Sequence, residues 1–177
     1  MFERFTEKAI NIIAMAQKEA ADSQTYKIYP EHILLGILET KHNICSRLLA
    51  YGGMNSETFR KYVYNKYQNV SHEFKHTNIA FSIGSQKIIK LASELATKKT
   101  KSYIMPEHIL LALIIVGEEK GPELAEDFKE YVADIHKLKQ TLLKLIAKND
   151  KKNELHPEQE CRKDRSEYST VQSIFKE

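Results

Sequence analysis

The chain contains one sequence pattern twice, and that repetition limits its possible folds more than any other feature. Tyr29-Pro30-Glu31-His32-Ile33-Leu34-Leu35 returns as Met105-Pro106-Glu107-His108-Ile109-Leu110-Leu111, 76 positions later. The register extends well beyond the heptapeptide. Phe5 matches Phe81, Ile12 and Ile13 match Ile88 and Ile89, and Ala16 and Ala20 match Ala92 and Ala96. Ile28 matches Ile104 and Leu48 matches Leu124, all without a gap. Such a repeat marks an internal duplication, in which each copy is one structural unit that needs its neighbour to complete a core.

Each copy reads as helical. Phe5, Ala9, Ile12, Ile13, Ala16 and Ala20 recur at steps of three and four, which is one face of a helix. Thr6 is a good N-cap for it, with Glu7 in its first turn. Pro30 opens a second helix, because proline fits a first turn whose N–H has no partner in any case. Ile33, Leu34, Ile37 and Leu38 form its apolar face. A third helix spans about Ile44 to Tyr51, stopped by Gly52-Gly53, and a fourth starts at Asn55 or Ser56. Polar residues 70–78 read as a linker. The order then repeats, with helices starting near Ser82 and at Pro106, a short segment after Gly121-Pro122, and a last helix from about Tyr131 to Ala147. No strand-like alternation stands out. The expected fold is all-α, two tandem four-helix repeats with pseudo-two-fold symmetry: residues 1–70 and 79–148, followed by a disordered tail at 149–177.

The tail carries seven basic and seven acidic side chains across residues 148–177, so it is not a basic arm for DNA. Tyr168 to Phe175 reads either as a short docking helix or as a frayed terminus. The formal net charge of +3 across 177 residues is too small to argue for nucleic acid. Six glycines and four prolines favour helices over turn-rich β structure. The two cysteines, Cys45 and Cys161, do not make a disulfide framework. The N-terminus has no apolar signal core, and no run approaches membrane-spanning length, so the expected location is the cytoplasm.

Few motifs carry chemistry. His72-Glu73-Phe74-Lys75-His76 has the spacing of a zinc-binding helix, but its flanks are poor helix formers and it falls in the linker. A zinc hydrolase built on His72, Glu73 and His76 is therefore a minor alternative, and a helical DNA-binding regulator is another. No phosphate-binding glycine loop is present; Gly84-Ser85-Gln86-Lys87 lacks its spacing. Lys98-Lys99-Thr100-Lys101 reads as a solvated helix end. No cofactor, metal or catalytic residue is expected.

The repeated glutamates are the informative pair. Glu31 and Glu107 each lie in a first helical turn, where a carboxylate suits the positive end of the helix dipole. Thr6 and Ser82 supply hydroxyls at the starts of the preceding helices. Backbone N–H groups at a helix start suit a phosphate, and a carboxylate suits a guanidinium. The combination fits a ligand that carries both charges.

Phe5-Thr6-Glu7-Lys8-Ala9, the doubled Pro-Glu-His-Ile-Leu-Leu and the repeat spacing closely resemble the Clp N-terminal repeat domain over residues 1–148. This is the double four-helix module at the front of ClpA- and ClpC-type AAA+ unfoldases. The resemblance implies binding of adaptors and, as in the ClpC branch, of phosphoarginine-marked proteins. It implies ligand-binding pockets that pair Thr6 with Glu31 and Ser82 with Glu107. Three departures stand out. Tyr29-Pro30 and Met105-Pro106 occupy positions where the family usually has Gly-Thr, Ser82 replaces threonine, and the glycine kept as Gly36 becomes Ala112, which leaves the second pocket less secure than the first. The chain ends at Glu177 without the ATPase modules the resemblance implies. The expected function is a free-standing, non-enzymatic recognition module of the Clp proteolytic system, acting as adaptor, regulator or decoy. The alternative is a truncated N-terminal fragment of a ClpC-type unfoldase.

Overall fold

A computed structural model describes residues 3–67, 79–97, 103–120, 132 and 134–155. Among these are seven helices: α1 (Glu7–Asp22), α2 (Pro30–Glu39), α3 (Ile44–Tyr51), α4 (Ser56–Tyr67), α5 (Ile83–Thr97), α6 (Pro106–Lys120) and α7 (Ile135–Leu155). Side-chain caps start five of them. The Oγ1 of Thr6 accepts from the Ala9 N–H, Asn43 Oδ1 from Ser46, Asn55 Oδ1 from Thr58, Ser82 Oγ from Ser85, and Asp134 Oδ1 from Lys137. Each satisfies an N–H that has no partner inside its helix.

The helices α2 and α6 start differently. Each begins with proline, and a histidine three residues past the N-cap reaches back to the N-cap N–H. His32 Nδ1 accepts from Tyr29 N–H at 3.0 Å, and His108 Nδ1 accepts from Met105 N–H at 3.0 Å. This is the returning half of a capping box, with imidazole in place of the usual Glu or Gln. The repeated histidine is thus a structural cap.

These two helices form the centre. In α6 every residue from Pro106 to Ile114 is buried, and α2 is buried from Glu31 to Ile37. The expected one-sided apolar faces become all-round burial, because α2 and α6 pack against each other and each also touches the other repeat's first helix. Gly36 sets the approach of α2 to α1: a Cβ there would lie 2.4 Å from the Ile12 carbonyl oxygen. At the equivalent position Ala112 buries its methyl group completely.

The two copies are tied by exchanged backbone pairing. Strand β1 (Lys27–Ile28) pairs in parallel with β2 (Ala80–Phe81), matching Ile28 with Phe81. Phe5 forms a parallel bridge with Ile104. Because Phe5 is equivalent to Phe81 and Ile28 to Ile104, the two pairings are the same contact made in both directions. The hydrogen bonds repeat it, Ser82 N–H to the Ile28 carbonyl at 2.9 Å and Thr6 N–H to the Ile104 carbonyl at 3.0 Å. Reciprocal contacts of this kind are what a two-fold relation produces.

Repeat one carries an extra brace. Glu19 is almost fully buried and takes Arg60 with both oxygens, at 3.0 and 2.8 Å. Arg60 also meets Glu39 at 3.0 Å, which joins α4 to α1 and α2. Leu95 occupies the equivalent position of Glu19 in repeat two.

The structure differs from the sequence reading in two places. Two-residue strands are present, too short to show an alternating pattern. The last helix begins at Ile135 rather than Tyr131 and continues to Leu155, so the first residues of the expected tail are helical. Residues 148–155 lack an apolar stripe but include the good helix formers Lys and Glu, and Asn149 gains a contact with α6. The residues after Leu155, the expected linker and the short segment after Gly121-Pro122 lie outside the described residues.

Two predictions follow from this packing. On an exposed helix, Gly→Ala would stabilise by about 1 kcal/mol. At Gly36 the added methyl forces α1 and α2 apart, so Gly36→Ala should lower stability by about 1–3 kcal/mol in urea unfolding. The second concerns His32. With Nδ1 accepting, the ring proton sits on Nε2 and donates to Ser23 Oγ at 3.0 Å, and Ser23 donates to the Ala20 carbonyl. Burial lowers the pKa of His32 from 6.5 to about 4, against a smaller opposing pull from Glu19. The unfolded chain therefore takes up this proton at higher pH than the folded one. The contribution is full above about pH 6.5 and is lost as pH falls towards 4, in total about 3 kcal/mol. Unfolding free energies measured between pH 7 and 4.5 should show this loss, and a His32→Gln variant should show a shallower slope.

Candidate functional site

The exchanged pairing decides which candidate residues lie beside one another. Ser82 is bound to the strand that leads into α2, and Thr6 to the residue that leads into α6. The start of α5 therefore lies beside the start of α2, which carries Glu31. The start of α1 lies beside the start of α6, which carries Glu107. The expectation grouped Thr6 with Glu31 and Ser82 with Glu107, within each repeat. The backbone instead groups them across repeats, because equivalent segments have traded partners. Gly84 makes the close approach at the first site: a Cβ on it would lie 3.2 Å from Pro30 Cγ.

At the first site the cap hydroxyls are fully engaged. Ser82 Oγ accepts from the Ser85 N–H and donates to Ser85 Oγ, which donates to the Ile28 carbonyl at 2.7 Å. Glu31 is 5% exposed. Its Oε1 accepts from Lys66 Nζ at 2.7 Å and its Oε2 from the Tyr67 hydroxyl at 3.0 Å. Tyr67 stacks on Tyr29 with ring centroids 4.5 Å apart and is tilted against His32. Burial, and then the Glu31 carboxylate, push the Tyr67 hydroxyl well above the ordinary tyrosine range, so it stays a donor. Burial and a hydrogen bond with Tyr26 push Tyr29 up to about 12. The Lys66 ammonium also lies 5.6 Å from the centre of the Tyr62 ring.

The second site has the same frame with different side chains. Thr6 Oγ1 donates to the Ile104 carbonyl at 3.3 Å and caps α1. Glu107 is 6% exposed, and its Oε1 accepts from Asn149 Nδ2 of α7 at 3.2 Å. In each half, then, the last helix reaches the carboxylate on the central helix. The helix starts differ in charge: α1 carries Glu7 in its first turn, while α5 carries no acid there. An anion at the start of α1 would meet a like charge, and one at the start of α5 would not.

Sequence reasoning marks Tyr29 only as a departure before Pro30 and gives no site role to Lys66, Tyr67 or Asn149. Leu142 and Leu143 stand 76 positions after Lys66 and Tyr67, so no repetition marked them. Among the described residues, no group of three or more His, Cys, Asp or Glu side chains is placed to hold a metal ion. His72, Glu73, His76, the Lys98–Lys101 cluster and Cys161 lie outside those residues. Cys45 is buried, which raises its thiol pKa well above the ordinary value. No helix among the described residues is long and apolar enough to cross a membrane.

Comparison with known proteins agrees with this architecture. The model of the Clp repeat (R) N-terminal domain matches residues 4–128. The negative regulator of genetic competence ClpC/MecB of Bacillus subtilis is 33% identical over 85% of this chain. The chloroplastic chaperone protein ClpC1 of Arabidopsis thaliana is 31% identical over 85% of it. The chain spans only 18% and 16% of the lengths of these two relatives. Among solved structures, the N-terminal domain of the chaperone ClpD from Arabidopsis thaliana superposes with a TM-score of 0.66 at 28% identity, covering 82% of this chain and 99% of that one. The Hsp104 N-terminal domain from Candida albicans shares the fold, with a TM-score of 0.63 at 23% identity, covering 81% and 91%. The duplicated helices, the exchanged pairing and these matches together show that the chain belongs to the Clp repeat N-terminal domain family.

Proposed function

We propose that this chain is a non-catalytic recognition module of the Clp proteolytic system. It binds protein substrates, phosphoarginine-marked ones among them, or adaptors or Clp components, and acts as adaptor, regulator or decoy. The observation that carries the reading is the pair of composite sites. Each sets a nearly buried carboxylate, Glu31 or Glu107, beside the hydroxyl-capped start of a helix from the other repeat. The carboxylate suits a guanidinium and the helix start suits a phosphoryl group. Both halves of a phosphoarginine are thereby addressed without any bond being broken.

A second reading has its own support. The chain matches less than a fifth of the length of its ClpC-type relatives, which fits an N-terminal portion of such an unfoldase. The same sites would then feed substrates to an attached motor rather than hold them.

Calorimetric titration of phospho-L-arginine tests the binding reading. The wild-type protein should bind, and a Glu31→Ala, Glu107→Ala double variant should lose at least tenfold in affinity, the scale of a lost charge-assisted pair (about 1.5–3 kcal/mol). Undiminished binding by the double variant, or no binding by the wild type, contradicts it.

A further inference from the structure

The first site already contains a cation. Lys66 Nζ sits 2.7 Å from Glu31 Oε1, where one nitrogen of a bidentate guanidinium would have to lie. The Tyr67 hydroxyl occupies the other oxygen at 3.0 Å. The two donors differ in what they would do when a ligand arrives. A carboxylate oxygen accepts more than one hydrogen bond, so Tyr67 can stay and bond alongside the guanidinium. Its ring is in any case held flat against Tyr29. Lys66 cannot stay, because an ammonium and a guanidinium on one nearly buried carboxylate repel each other. Lys66 is able to leave: its side chain is 23% exposed, on the last turn of α4, and its flexible stem can carry the ammonium out to water.

We infer that Lys66 is an internal competitor that occupies the guanidinium position at Glu31 and sets the affinity of the first site. The inference rests on the reading of Glu31 as a guanidinium acceptor. It deepens that reading by identifying a specificity-determining residue on another helix. A ligand's guanidinium replaces one cation by another, so much of its electrostatic gain is cancelled. The first site then favours ligands that also use the start of α5, and it discriminates against a bare guanidinium.

The test uses the full chain with Glu107→Ala, so that only the first site reports. Two probes are titrated into this protein and into its Lys66→Met and Lys66→Arg variants. The first is methylguanidinium, followed by NMR at the amides of Glu31 and His32. The second is phospho-L-arginine, followed by calorimetry. Lys66→Met keeps most of the stem and removes the charge, whereas Lys66→Arg keeps the competitor. Lys66→Met should tighten methylguanidinium binding about two- to fivefold, the scale of a partly exposed ion pair. The gain should vanish when Glu31→Ala is added, and Lys66→Arg should show none. Unchanged or weaker methylguanidinium binding in Lys66→Met overturns the inference, and a lower melting temperature with no gain shows a purely structural ion pair. The two probes separate the two claims. Failure of phospho-L-arginine in every protein, together with the methylguanidinium gain, leaves Lys66 as competitor and removes the phosphoarginine reading. Phospho-L-arginine binding without any gain in Lys66→Met does the reverse.

Discussion

Two carbonyl groups hold the architecture together. Ile28 accepts from Ser82 and Ile104 accepts from Thr6, so each repeat supplies the acceptor for the other. Neither copy can make these bonds alone. A single copy would leave the segment before its second helix with unpaired polar groups next to a fully buried helix, which is costly. The exchange solves that problem twice with the same residues. It also brings α2 and α6 to the centre, where both are enclosed by helices of the two copies. An ordinary amphipathic helix would show a polar face, whereas α6 is buried from Pro106 to Ile114.

The same constraint builds the sites. Once the segments have exchanged, the start of a first helix must lie against the start of the other repeat's second helix. Two positive helix ends then converge near one buried acid, which the dipoles stabilise. Proline at the first position of α2 and α6 removes an N–H that no partner would satisfy. The histidine two positions later satisfies the N-cap N–H, and the carboxylate between them is engaged by the last helix of its half. The repeated Pro-Glu-His thus divides its labour: two residues build the helix start and one sets a nearly buried carboxylate beside it.

Much of this was readable from the residues. The duplication, the helix starts near Thr6, Pro30, Ile44, Ser82 and Pro106, and the stop at Gly52 all rest on local signals of capping and periodicity, and local signals survive tertiary packing. What failed was non-local. A perfect repeat offers each segment two equivalent partners, one in its own copy and one in the other. Spacing cannot choose between them: the family resemblance implies a pairing of Thr6 with Glu31, whereas the Thr6 backbone bond leads to the start of α6. Lys66, Tyr67 and Asn149 carry no signal for a related reason. They approach the carboxylates from helices where the copies have diverged, so repetition gave no signal. The end of α7 at Leu155 is not legible in the sequence, because a run of polar helix formers carries no apolar period to read.

The central claim is that each site is shared between the repeats, and one NMR experiment addresses it directly. Backbone amide shifts would be followed during phospho-L-arginine addition to the wild type and to Glu31→Ala. The account predicts that Glu31→Ala silences the responses of residues 83–85 at the start of α5 while residues 7–9 at the start of α1 still respond. Loss of the response at residues 7–9 with residues 83–85 unaffected would show that each site lies within one repeat, and would contradict it.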